Sequence, residues 1–105
     1  MDILTVRDYQ KIIAEKRDII LFFTSCVEGN TPEDGARAFL TEFAQNLLIC
    51  FEVQCERTPA IGYEYGIKMY PTICVILSGV EAMRIEGWDI HKLMSVLALG
   101  NRQER

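Results

Sequence analysis

The stretch FFTSCVEGNTPEDGARAFLTEF, residues 22–43, changes character midway. Its first residues continue an apolar run from Ile19, the mark of a strand covered on both faces. Its second half carries Ala36, Phe39, Leu40, Phe43 and Ala44, with Leu47 just beyond, as a wide apolar stripe at helical spacing. Between the two, Thr31 reads as a helix N-cap, Pro32 suits the first helical position and Asp34 the third. Gly35 weakens that first turn slightly. A buried strand that passes through a proline-bearing loop into an amphipathic helix is half of a β-α-β crossover, and it predicts an α/β chain.

The flanks extend the pattern. Upstream, Thr5 and Asp8 form a variant capping box, and Val6, Tyr9 and Ile13 repeat at helical spacing with Ile12 beside them, predicting a helix to about Lys16. Downstream, residues 47–53 read as a second apolar strand; stripe and strand overlap at Leu47, so that boundary stays open. Thr58-Pro59 opens a short helix that Gly66 should end. TICVIL, residues 72–77, is a third buried strand, and Ser78-Gly79 turns the chain into a fourth over residues 80–86. Met83 and Ile85 fall on one face of it, Arg84 and Glu86 on the other. Strands joined so tightly must be antiparallel. A last helix begins near Trp88 or Asp89, carries Ile90, Leu93, Met94, Leu97 and Ala98, and stops at Gly100. The order predicts a central mixed sheet of four or five strands, parallel β-α-β plus a C-terminal antiparallel hairpin, flanked by about four helices.

Composition bounds the function. The chain has 105 residues, half of them hydrophobic, and a formal net charge of −4. One domain with a modest core is expected, and a nucleic-acid backbone is an unfavourable partner. No apolar run approaches a membrane span. No basic segment precedes an apolar one at the start, which predicts a cytoplasmic location. Of the four cysteines, Cys50 and Cys74 lie inside apolar runs and Cys55 ends one, as free buried thiols do. Cys50 and Cys55 are an odd number of residues apart and should face opposite sides of one strand. No Cys/His pair has ligand spacing, so neither a metal nor a cofactor is expected.

The segment Tyr65-Gly66-Ile67-Lys68-Met69-Tyr70-Pro71-Thr72 resembles thioredoxins, which carry a similar Tyr-Gly-Ile leading to an apolar residue, Pro and Thr. The resemblance covers about residues 5–99, giving one thioredoxin-like domain over residues 1–100 and a polar tail at 101–105. It implies a cis Tyr70–Pro71 bond bordering a groove, with Gly87 lining that groove and LSGVEAMRIEG as the final hairpin. Where thioredoxins have Cys-Gly-Pro-Cys, this chain has Asn30-Thr31-Pro32-Glu33. The redox chemistry needs a thiolate stabilised at the helix N-terminus and a second thiol to resolve the mixed disulfide. Asn30 and Glu33 supply neither. TPE at that position, AIG at residues 60–62 and the start of the last helix at residues 88–91 are similar to the thioredoxin-like accessory proteins of hydrogenase maturation, which also lack the cysteine pair. That similarity implies a chaperone-like role, with the precursor of the hydrogenase small subunit, which bears a twin-arginine export signal, as partner.

Several residues carry two readings. Cys26 is either a lone reactive thiol or an ordinary loop cysteine; Glu28 nearby raises a thiol pKa, and no cation lies close in sequence. Cys26 and Cys74 are a further candidate pair. Glu33 or Asp34 is a general base or, more ordinarily, a helix-dipole partner. Tyr63, Tyr65 and Tyr70 offer an aromatic face, with Tyr65 the most core-like and Tyr70 the most exposed. Trp88 is a contact residue or packing. Three functions remain: a non-catalytic protein-binding module using Cys26, Asn30, Thr31, Glu33, Tyr70, Pro71, Thr72, Gly87 and Trp88; a monothiol disulfide oxidoreductase using Cys26; and a self-association domain.

Overall fold

A computed structural model describes residues 2–25, 31–44, 48–89, 91–92 and 94–95, with the side chains of residues 2, 3, 31–33, 43 and 44 outside the description. Cys26, Asn30, the start of the second predicted strand at Leu47, most of the last helix's stripe and the polar tail therefore lie outside the described residues.

The elements run β1 (Asp2–Ile3), α1 (Val6–Ala14), β2 (Ile19–Thr24), α2 (Thr31–Ala44), β3 (Ile49–Gln54), α3 (Pro59–Tyr65), β4 (Thr72–Leu77) and β5 (Val80–Glu86). Residues 91–92 and 94–95 are helical as well. The five strands form one sheet in the order β1-β3-β2-β4-β5. β1 and β2 both pair with β3 in parallel; β4 runs antiparallel to β2, and β5 antiparallel to β4.

Local chemistry explains the boundaries. The Thr5 hydroxyl accepts from the Asp8 N–H at 3.2 Å, capping α1. That helix ends at Ala14, short of the expected Lys16, because Lys16 takes a left-handed φ of 53°. At α3, Thr58 is the N-cap residue, but its hydroxyl donates to the Gln54 carbonyl at 3.2 Å and leaves the helix start to Pro59. Gly66 closes α3 at a φ of 61°, a conformation that costs a residue without Cβ little. Between β4 and β5, Ser78 and Gly79 both have positive φ, which gives the mirror-image turn that fits strand twist. The Ser78 N–H donates to Asp18 at 2.9 Å and ties the turn to the entry of β2.

All six residues of β2 are buried, as its continuous apolar run requires. Ile19, Leu21 and Phe23 point to one face, among Leu4, Tyr9, Val53, Ile61, Cys74 and Ile76 under α1 and α3. Ile20 and Phe22 point to the other, among Ala36, Leu40, Cys50, Ile73 and Ile85 under α2. Cys50 and Cys55 lie in these opposite clusters, as their spacing predicts. In β5 the register jumps, Met83 facing Val75 and Glu81 facing Ile76, so Ala82 is an extra, bulged residue. The bulge brings Glu81 onto Arg84's face, where they pair at 2.8 Å. It also puts Val80 on the face of Met83 and Ile85.

Phe22 is fully buried, whereas Val80 at the hairpin end is largely exposed. Phe22→Ala is expected to cost about 3–5 kcal/mol and Val80→Ala less than about 0.5 kcal/mol. Urea unfolding midpoints at a common m-value provide the measurement; equal shifts in the two variants would contradict this core.

Candidate functional site

The turn before β4 is built from its own backbone and one hydroxyl. The Tyr70–Pro71 peptide bond is cis. Thr72 donates its hydroxyl to the Met69 carbonyl at 2.7 Å and closes the turn from below. The Gly87 N–H donates to the Pro71 carbonyl at 2.8 Å, linking the turn to the end of β5. Gly87 has a φ of 82°, a region an L side chain rarely adopts, and the Met69 methyl lies 3.6 Å from where a Cβ would stand. Pro71 and Thr72 are buried, while Met69 and Tyr70 (41% exposed) face outward.

Trp88 follows and stacks edge-on against Phe39 of α2, ring centroids 5.5 Å apart. Its indole nitrogen lies 3.8 Å from the position a Cβ on Gly35 would take. Trp88 thus brings the segment after Gly87 against α2 at Gly35 and Phe39; Thr31 and Glu33 belong to the first turn of the same helix, with their side chains outside the described residues. Cys26 and Asn30 are outside the described residues. Of the three tyrosines, Tyr65 turns inward, edge-on to Phe23 at 5.4 Å, and accepts the Tyr9 hydroxyl at 2.9 Å. Tyr63 is 88% exposed.

Sequence reasoning missed the polar centre next to this surface. Glu52, in the middle of β3, is 3% exposed. Arg37 grips it side-on, Nε to Oε1 at 2.7 Å and Nη2 to Oε2 at 2.9 Å. The Thr24 hydroxyl and the Gln54 amide add donors to Oε2 at 2.9 and 3.2 Å. Arg37 also reaches Asp34 at 2.9 Å, and its guanidinium lies 5.9 Å above the Phe22 ring. Burial pushes the Glu52 pKa up, but the hydrogen bonds from Arg37, Gln54 and Thr24 outweigh it and hold the carboxylate below its usual range. The Glu52 hydrogen bond raises the Arg37 pKa in return. Among the described residues the buried Gln54 Oε1 has no partner. The signal was a single acid on the inward side of an apolar strand, Glu52 alternating with Cys50.

The described thiols belong to the core: Cys50, Cys55 and Cys74 are buried and in no disulfide. Burial pushes Cys50 up to about 12; burial, with the Glu81 charge adding, pushes Cys74 up to about 12 as well. Cys74 therefore sits as a core side chain rather than as a groove-facing redox partner. No group of three His, Cys, Asp or Glu residues among those described could hold a metal ion.

The architecture matches solved structures along nearly its whole length. Thioredoxin from Plasmodium falciparum superposes with a TM-score of 0.83 at 18% identity, covering 93% of this chain and 97% of that one. Fasciola hepatica thioredoxin gives 0.77 at 23% identity, covering 95% and 99%. Mitochondrial thioredoxin 3 from Saccharomyces cerevisiae gives 0.81 at 18%, covering 93% of each chain. The fold is thioredoxin-like. No family model matches the sequence, and no curated protein matches it. Within this fold, Arg37 straps α2 to β3.

Two outcomes test the site. Glu52's lowered pKa contributes stability that is complete above the ordinary glutamate range, near 4.5, and is lost as pH falls through the lower folded value. Below pH 4.5 the wild type should therefore lose urea resistance more steeply than Glu52→Gln. Arg37→Ala should cost about 3 kcal/mol at pH 7, the low end for a broken buried pair because the Arg37 side chain is 36% exposed. In the second test, native protein treated with iodoacetamide at pH 8 should leave Cys50, Cys55 and Cys74 unmodified by site-resolved mass spectrometry, and urea should expose all three. Fast native labelling of Cys74 would overturn its placement.

Proposed function

We propose that this chain is a non-catalytic thioredoxin-like module that binds protein. It holds an extended segment against the Tyr70-Pro71-Thr72 turn by strand-like backbone pairing, with Gly87 and Trp88 beside the turn and Cys26, Asn30, Thr31 and Glu33 as the further contact residues the sequence suggests. The observation that carries this reading is a turn held rigid by Thr72 and Gly87 that presents Met69 and Tyr70 outward, while the described thiols are buried. Recognition of that kind asks nothing of a thiolate. The sequence supports it further: its four cysteines include no Cys-x-x-Cys pair.

The hydrogenase small-subunit precursor is the specific partner this reading favours. Its support is the sequence similarity at residues 31–33, 60–62 and 88–91 alone. A cytoplasmic location accords with a precursor still carrying its export signal.

Three measurements on one preparation test the reading. The protein should show no reduction of insulin disulfides. A reduced, carboxymethylated unfolded protein should bind, with affinity unchanged by Cys26→Ser and weakened roughly tenfold by Tyr70→Ala. Purified precursor should bind more tightly than the same subunit without its signal. Loss of binding in Cys26→Ser, or turnover of insulin, would shift the assignment to a monothiol oxidoreductase.

A further inference from the structure

A second recess lies beside the cis-proline turn, on the α3 side. It has a volume of about 330 Å³, with Cys55 and Gly62 at its base and Pro59, Tyr63, Ile67 and Tyr70 around it. Its lining is chiefly apolar. Gly66 also borders it, and a Cβ built there meets nothing within 4 Å, so the space at that corner is open. Two of its walls are tyrosines turned to solvent, Tyr63 at 88% and Tyr70 at 41% exposed. Aromatic walls of this sort bring contact area with little rotamer entropy to lose.

Charge at the rim is one-sided. Lys68 is the single charged residue lining the recess. It is exposed and makes no ion pair among the described residues, in a chain whose net charge is −4. Glu64, the acid of α3, does not line the recess. An apolar recess with an uncompensated ammonium at its mouth complements a bulky apolar side chain followed by a carboxylate.

We propose that this recess is a specificity pocket for the bound polypeptide, taking a large apolar side chain while an adjacent acidic residue meets Lys68. The proposal rests on the groove reading above, because Tyr70 is shared: it forms one wall of the recess and is the residue preceding Pro71. A segment paired at the turn would send a side chain over Tyr70 into the recess.

The probes are four fluorescein-labelled octapeptides of otherwise identical sequence, with Phe-Asp, Phe-Lys, Ala-Asp or Ala-Lys at the centre. They are titrated by anisotropy and mapped by amide shift changes on the full chain. The Phe-Asp peptide should bind about tenfold more tightly than Ala-Asp and about threefold more tightly than Phe-Lys. Lys68→Glu should reverse the Asp/Lys preference, and Tyr63→Ala should shrink the Phe/Ala ratio; both sites are exposed, so both variants fold. Shifts should include Gly62, Tyr63, Ile67 and Lys68. Equal binding of all four peptides with shifts confined to Tyr70, Thr72 and Gly87 would overturn the pocket and leave the groove standing. Selective binding with shifts at Tyr63 and Lys68 but none at Thr72 or Gly87 would keep the pocket and overturn the groove. No binding by any peptide would overturn both.

Discussion

Strand β2 has a partner on each edge and a cluster on each face, so none of its six residues reaches water. Nearly everything else in the fold answers that constraint. A strand of this kind needs helices on both sides of the sheet, and here α1 and α3 cover one face and α2 the other. It also leaves the neighbouring strands little tolerance for polar groups. Thr24, at the exit of β2, is itself fully buried and is satisfied only because its hydroxyl finds Glu52 on β3.

Among the described residues Glu52 is the one buried carboxylate, and it accepts four hydrogen bonds from three segments of chain. A buried ion pair is weak grounds for stability, since apolar residues of the same volume often serve as well. Geometry is what the pair adds. The planar guanidinium of Arg37 meets both carboxylate oxygens at once, so α2 can neither slide nor rotate on β3 without breaking two short bonds together. Trp88, next to Gly87, packs on the same helix at Gly35 and Phe39, so the anchored α2 gives the end of β5 a fixed surface.

The elements legible in the sequence were those written in short-range periodicity. The unbroken apolar run of β2, the stripe of α2, the Thr5 cap and the odd spacing of Cys50 and Cys55 each follow from one helix or strand repeat. What the sequence hid is long-range or too small to have a period. β1 has two residues, fewer than any alternation needs. The bulge at Ala82 moves Val80 and Glu81 to new faces by a single insertion, which simple alternation cannot register. Arg37 and Glu52 lie fifteen residues apart on different elements, and only the packing of α2 on β3 makes them a pair. Of the candidate site, the turn and its glycine were readable through a family resemblance, while the recess behind Tyr70 depends on how α3 leans on Cys55.

Backbone pairing and thiol chemistry draw on different atoms. The turn at Pro71 is fixed by a hydroxyl, a backbone amide and a left-handed glycine, none of which takes part in electron transfer. Thiol chemistry requires a populated thiolate. Burial pushes the Cys50 and Cys74 thiols up to about 12, so both stay protonated at neutral pH. Their sulfurs serve the core as small apolar groups. A sequence selected for such a turn alone would keep Pro71, Thr72 and Gly87 and would be free at the start of α2, because nothing in backbone pairing requires a charged sulfur at that position.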